Sequence, residues 1–193
     1  MNMLCRNKGW LDCSIVQLDS SHTSAKNGGV AVGYQGRKKV RTTTALFRAD
    51  NQGQPLACAT PQAGNHHDSF QLAALFEELC ILLEAAGIAV AGLFLNADSA
   101  FDTNELRHIC TTHNIEANIA RNRRAADWQT DDDTFFDPEL YRRRAVAEHA
   151  NAWLDSFKTL LVRYETSVGN WLAFHWLAFV VLFLRKIKAK TTF

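Results

Sequence analysis

The segment Ile88 to Leu95 (IAVAGLFL) is apolar almost without interruption, and it ends in Asn96-Ala97-Asp98. A short unbroken apolar run suits a strand buried on both faces, and a sheet with both faces covered requires helices on each side. The residues before it supply such a helix. Asp68 with Gln71 three residues on reads as a capping box, the apolar positions from Phe70 to Ala86 are periodic, and Gly87 closes the element. A helix placed this way permits a parallel crossover into the strand.

The remaining elements fit the same α/β order. Ile15 to Asp19 reads as a short strand running into a polar, Gly-containing stretch, Ser20 to Gly36. Thr42 to Arg48 and Leu56 to Thr60 read as the arms of a hairpin around the turn Asn51 to Pro55. Asp102 to His113 is expected as a helix and Ile115 to Ala120 as a strand. Arg121 to Pro138, which contains Asp131-Asp132-Asp133, is expected as a loop, followed by two long helices at about 139–165 and 170–190. With 193 residues, 47% of them hydrophobic, the chain can bury one sizeable core, so a single domain over residues 1–193 is expected. Disorder and coiled coils are excluded by that hydrophobic content and the lack of sustained heptads.

Five cysteines without a CxxC pair point to a reducing compartment, and the amino terminus lacks a signal-peptide core, so a cytoplasmic location is expected. Trp171 to Leu184 is strongly apolar, but its 14 residues fall short of the roughly 20 that span a bilayer. It reads as a buried core helix, and no membrane partner is expected. The net charge of +1 conceals basic clusters at Arg37, Lys38, Lys39 and Arg41, at Arg121, Arg123 and Arg124, and at Arg142 to Arg144.

Asp19 and Asp98 each fall at the carboxyl end of an expected strand, where ligands of open α/β sheets bind. The plain alternative is that each starts a turn. On a helical wheel at about 100° per residue, Arg144, Glu148 and Asp155 share one side with Tyr141, opposite an apolar stripe of Val146, Trp153, Phe157, Leu160, Leu161 and Tyr164. Glu148 could therefore pair with Arg144 one turn away as an ordinary surface ion pair. Gathered together, three carboxylates would instead repel unless hard cations such as Mg²⁺ or Mn²⁺ neutralised them. Two such ions about 4 Å apart support in-line phosphoryl transfer at a phosphodiester.

Three blocks also resemble a known family. They are Leu18-Asp19-Ser20-Ser21-His22-Thr23 leading to Tyr34-Gln35-Gly36-Arg37-Lys38-Lys39, then Leu95-Asn96-Ala97-Asp98-Ser99-Ala100-Phe101-Asp102 with Ala117 to Arg124, then Tyr141 to Glu148 with Leu161 to Glu165 and Asn170 to Ala173. In this order, with separations of 79 positions from Asp19 to Asp98 and 50 from Asp98 to Glu148, the chain resembles the DDE transposases of bacterial insertion sequences, in the broad group of insertion sequences four and five.

The resemblance implies an RNase H-like mixed β-sheet flanked by helices, with Asp19, Asp98 and Glu148 as the catalytic, metal-binding triad for two Mg²⁺ or Mn²⁺ ions. It implies that Tyr141 and Arg144 belong to a Tyr-x2-Arg-x3-Glu-x6-Lys signature whose basic members contact DNA. Asp155 stands where that signature has lysine, so the lysine role is unassigned. In this context Arg37, Lys38, Lys39, Arg121, Arg123 and Arg124 are candidates for phosphate contacts. The implied partners are double-stranded DNA, as insertion-sequence ends and target, and a second copy or a full-length transposase. Only 18 residues precede Asp19, so the usual amino-terminal DNA-binding region is expected to be lacking. Two readings follow: a metal-dependent strand-transfer enzyme, or a truncated, inactive remnant that binds DNA or full-length transposase.

Other residues receive plainer readings. His66, His67 and Asp68 are read as solvated rather than metal-binding, Trp153 as core, Trp128 as a conceivable base-stacking residue, and His175 as a satisfied core histidine. The cysteines are read as small core or inert surface positions.

Overall fold

The computed structural model describes residues 9–122 and 135–191. Its centre is β1 (Ile15–Ala25), which pairs antiparallel with β3 (Val40–Ala49) on one side and parallel with β6 (Phe94–Ala97) on the other. Outside these lie β2 (Gly33–Gln35) against β3 and β7 (Glu116–Ile119) parallel to β6, giving the order β2-β3-β1-β6-β7. Three short strands complete the mixed sheet: β4 (Pro55–Cys58) and β5 (Gln62–Ala63) on β3, and β8 (Val162–Arg163) parallel to the far end of β1.

Helices cover both faces, as the apolar run led us to expect. On β1 successive side chains alternate between faces. The face of Leu18 and its register partner Arg48 packs beneath α1 (Leu72–Ala85), where Phe76, Leu79, Cys80 and Leu83 are buried, with α2 (Asn104–Thr112) beside it. The face of Asp19 and Thr23 meets α4 (Ala145–Asp155) and α5 (Lys158–Leu161), with Thr23 Oγ1 donating to the Leu160 carbonyl at 3.0 Å. The short α3 (Pro138–Arg142) precedes α4, and α6 (Val168–Thr191) packs on α5 and β4.

Several boundaries differ from the sequence expectation. β1 runs on to Ala25 because Ser20 to Ser24 find ladder partners in β3, from Leu46 to Thr42, so polar side chains do not end the strand. The strand expected at Ile88 to Leu95 is β6, displaced to Phe94–Ala97. Ile88 and Val90 are buried in the preceding turn, which needs Gly92 at φ +80°. The expected capping box does not form: Gln71 occupies the cap position at φ +50° without a side-chain cap bond, its Oε1 instead accepting from Gln62 Nε2 at 2.7 Å, while Asp68 accepts from Ser20 Oγ at 2.8 Å and lies 3.6 Å from His22 Nε2. The Asp68 carboxyl is held below its ordinary range chiefly by its hydrogen bond with His22.

The long helix expected at 139–165 is instead α3, α4, α5 and β8. Phe157 leaves the helical region at φ −90°, ψ 111°, and Val162-Arg163 then extend to pair with Ser24-Ala25. Arg163 compels that exit, since its buried guanidinium donates to the carbonyls of Val30, Ala31, Glu165 and Thr166 and to Thr43 Oγ1. The apolar stripe therefore divides. Leu160 is buried, whereas Trp153 is 41% exposed, against the expectation of a core position, and Leu161 and Tyr164 are also exposed.

The last helix does bury Trp171, His175, Ala178, Phe179, Leu182 and Phe183. His175 is the core histidine expected, with Nδ1 3.1 Å from the Trp171 carbonyl, and burial lowers its pKa to about 4. The helix is nevertheless 24 residues long, apolar enough by length and composition to cross a membrane, and leaves Leu177, Val180, Val181 and Leu184 exposed on its outer side.

Candidate active site

The register Leu18↔Ala97 between parallel β1 and β6 puts Asp19 and Asp98 one step further along, side by side at the end of the pair. Asp98 has left the strand and caps the 3₁₀ turn Ser99–Phe101, accepting from the Ser99 backbone N–H at 2.6 Å. Asp19 remains in β1, paired with Phe47. Asp98 thus stands at a strand end and starts a turn, whereas Asp19, expected at a strand end, lies inside β1 at the point where its parallel pairing with β6 stops, because the strand continues along β3 to Ala25.

The segment carrying α3 and α4 lies across them. Arg144 Nη2 donates to Asp98 Oδ2 at 3.1 Å, and Arg144 Nη1 lies 3.8 Å from Asp19 Oδ1. Asn151 Nδ2 donates to Asp19 Oδ2 at 2.9 Å. Arg144, Glu148 and Asn151 follow at i, i+4 and i+7, which is one stripe of a helix. Glu148 is therefore held between two residues that both reach Asp19, and its own side chain is exposed. The surface pair Arg144–Glu148 expected as the plain alternative gives way to Arg144 bridging the two aspartates. Tyr141 completes the cluster, its hydroxyl donating to Asp98 Oδ1 at 3.5 Å.

A polar ladder beneath α3 fixes this placement. Gln17, Asn96 and Asn118 are adjacent in register across β1, β6 and β7, on the same face as Asp19. Asn118 Nδ2 donates to Asn96 Oδ1 at 2.8 Å and to the Asp137 carbonyl at 3.0 Å, while the Asp137 N–H donates to Asn118 Oδ1 at 2.8 Å. Asn96 Nδ2 donates to the Leu140 carbonyl at 2.7 Å. Asp137 then caps α3 through the N–H groups of Glu139 and Leu140. Sequence reasoning passed over Asn96, Asn118 and Asn151. For Asn151 the signal was available, three residues beyond Glu148 on the wheel; for the ladder it was two asparagines inside otherwise apolar strands.

Burial raises the Asp19 pKa, opposed by the Ser20 N–H, the Arg144 guanidinium and the Asn151 amide. A carboxyl pressed toward neutrality between an aspartate and a cation is a group that a further cation would ionise. The donor set is hard oxygen, and the Arg144 guanidinium already spans the two aspartates as a positive charge, so these residues fit a hard divalent metal ion.

The other candidate residues are more dispersed. Arg37, Lys38 and Lys39 are exposed on the turn between β2 and β3, where the Gln35 side chain accepts from the N–H groups of Arg37 and Lys38 and Lys39 takes φ +52°. The Lys38 ammonium acts on Asp155, at the end of α4, against the partial burial that raises the pKa of that carboxyl. Arg121 lies 3.9 Å from Asp102, a carboxylate that also binds Arg107 and the Asn122 N–H. Arg123, Arg124, Trp128 and Asp131 to Asp133 lie outside the described residues. His66 stacks on Phe70 at 3.7 Å and His67 bonds Ser69, so they do not form a histidine cluster with Asp68.

The sequence matches the family model for the transposase DDE domain over residues 5–183. A search of the curated proteins finds no match. Among solved structures, the HTLV-2 integrase catalytic core domain in complex with magnesium, in its dimeric form, superposes with a TM-score of 0.50 at 16% identity, covering 89% of this chain and 86% of that one. A chain of the simian T-cell lymphotropic virus intasome in complex with PP2A regulatory subunit B56 gamma gives 0.52 at 16% identity, over 88% of this chain and 48% of that one. The shared architecture is the RNase H-like mixed sheet with flanking helices.

Proposed function

Because this chain belongs to the transposase DDE-domain family, we propose that it cuts and rejoins insertion-sequence DNA by metal-dependent phosphoryl transfer, with Asp19, Asp98 and Glu148 as the residues that hold the metal. One observation carries this reading: the two aspartates stand side by side where the parallel pairing of β1 and β6 stops, and Arg144 and Asn151, which flank Glu148 on one helical stripe, both reach them. The magnesium in the related integrase core supports the choice of ion. Mg²⁺ or Mn²⁺, bound as a pair, would polarise the scissile phosphate, lower the pKa of the attacking water or 3′-hydroxyl and stabilise the leaving oxygen.

The chain's own residues then divide the work. Asp19 is held in β1 and Asp98 by the turn that follows β6, and Asn151 and the Ser99 N–H each bond one oxygen of these carboxylates and so orient the pair that would hold the metal. Arg144 balances the aspartates and, on moving aside, presents a planar fork suited to a DNA phosphate. Tyr141 offers a hydroxyl at the same edge. Arg37, Lys38 and Lys39 on their exposed turn, with Arg121, Arg123 and Arg124, supply sequence-independent attraction for the double-stranded substrate.

Nicking of a labelled duplex by the purified chain tests the proposal. Cleavage requires Mg²⁺ or Mn²⁺, stops with chelator, and is lost in Asp19→Asn and Asp98→Asn. Salt-sensitive DNA binding without cleavage under any metal would replace this reading with that of an inactive, DNA-binding remnant.

A further inference from the structure

On the opposite face of the sheet, three ligand-type side chains converge. Glu77 and Cys80 occupy i and i+3 of α1 and so share one face of that helix. His113 ends α2, held by its N–H bond to the Ile109 carbonyl and followed by Asn114 at φ +53°. One ligand atom of each lies within 4.8 Å of the others, and Glu77 Oε2 is 2.8 Å from His113 Nε2. Carboxylate oxygen, thiolate sulfur and imidazole nitrogen together form a zinc donor set.

A second feature points the same way. Arg48 is 0% exposed, and among the described residues it forms no ion pair with a carboxylate and its Nε has no hydrogen-bond partner. Its guanidinium lies 3.9 Å over the Phe76 ring and donates to Cys80 Sγ at 3.6 Å. A buried cation is costly unless an anion compensates it, and the group directly against it is a thiol that becomes one on ionising. Burial raises the Cys80 pKa, and the guanidinium opposes that rise. A metal ion would add to the guanidinium and draw the proton off the sulfur.

We propose that Glu77, Cys80 and His113 form a zinc-binding site that ties α1 to the end of α2, separate from the carboxylate site on the other side of the sheet. With Zn–N and Zn–O bonds of about 2.1 Å, tetrahedral neighbours stand about 3.4 Å apart, so the Glu77–His113 contact opens by about 0.6 Å, and Cys80 Sγ draws in to about 3.6 Å of each. Glu77 and His113 are 42% and 26% exposed, which leaves an entry path and a fourth position for water. The site is independent of strand transfer.

The test uses the full chain stripped with chelator and titrated with Zn²⁺ alone by calorimetry, then with Co²⁺ by absorbance. The expected result is one binding step of one ion per chain, separate from any uptake at the carboxylate site, with a proton released in that step and a sulfur-to-Co²⁺ charge-transfer band that disappears in Cys80→Ser. Affinity falls by about tenfold or more in Cys80→Ser, His113→Gln and Glu77→Gln, while Glu148→Gln leaves it unchanged. Glu77→Gln alters a partly exposed side chain, so its loss of binding is not a loss of fold, which circular dichroism verifies. Absence of zinc uptake, uptake indifferent to Glu77→Gln and Cys80→Ser, or a Co²⁺ complex without the sulfur band would each overturn the proposal.

Discussion

Replacing Arg163 should destabilise the fold more than replacing any surface arginine, and the structure sets the scale. The guanidinium is fully buried and makes three short hydrogen bonds, to Thr43 Oγ1 at 2.6 Å, the Glu165 carbonyl at 2.8 Å and the Val30 carbonyl at 2.9 Å. Two longer ones reach Thr166 at 3.3 Å and Ala31 at 3.4 Å. Hydrogen bonds to a charged group contribute about 1.5–3 kcal/mol each, and water entering the vacated space recovers part of the sum. Arg163→Ala is therefore expected to cost about 3–5 kcal/mol, a large share of the roughly 5–15 kcal/mol that holds a typical domain together. Arg163→Lys keeps the charge but loses the planar fork and should cost about half as much. In urea, with a slope of about 2 kcal/mol per molar, the Ala variant loses about 2 M of midpoint. A shift below about 0.5 M with unchanged slope would refute the claim that this guanidinium ties β8 and the 26–31 segment to the sheet.

Three further outcomes are expected. His175 is neutral and buried, with a folded pKa of about 4, while the unfolded chain protonates near 6.5; stability is full above pH 6.5 and lost as pH falls from there toward 4, by about 2 kcal/mol at pH 5. Urea titrations at pH 7 and pH 5 measure that loss, which His175→Gln should abolish; an equal loss in the variant would assign it to other groups. Asn151→Ala removes a donor to Asp19 and should raise the Mg²⁺ concentration needed for half-maximal nicking by about tenfold, and an unchanged titration would make the contact incidental. Asn118→Leu breaks three hydrogen bonds under α3 and should cost about 2–4 kcal/mol in urea while lowering nicking at saturating metal; full activity in the folded variant would mean the ladder does not position Tyr141 and Arg144.

The carboxyl-end placement of Asp98 was legible because it depends on local signals: an apolar run, a helix before it and acid after it; Asp19 was expected at a strand end too, and lies inside β1 because the strand continues to Ala25. A parallel crossover into β6 was legible from the helix before it; that its partner is β1 was not. What escaped was decided by partners remote in sequence. Ser20 to Ser24 look like loop until β3 offers them a ladder. Residues 139–165 look like one helix because the apolar period continues through Ser156, yet Arg163 finds its carbonyls only by ending that helix. Trp153 matched the apolar stripe by phase, but the break after Asp155 leaves it at 41% exposure. By spacing alone Arg144 could pair with Glu148, four residues on, and it turns to the aspartates instead. Two carboxylates at a sheet end attract a guanidinium more strongly than one exposed glutamate, a comparison that requires knowing that the strands are adjacent.

The central claim, that Asp19, Asp98 and Glu148 act as one metal-dependent unit, is tested most directly by measuring the duplex nicking rate of Glu148→Gln beside Glu139→Gln, a neighbouring carboxylate on α3. Loss of Mg²⁺- and Mn²⁺-dependent nicking in the first, with the second retaining the parent rate and both retaining the parent fold, is the predicted result. Metal-dependent nicking that persists in Glu148→Gln at the parent rate would contradict the account.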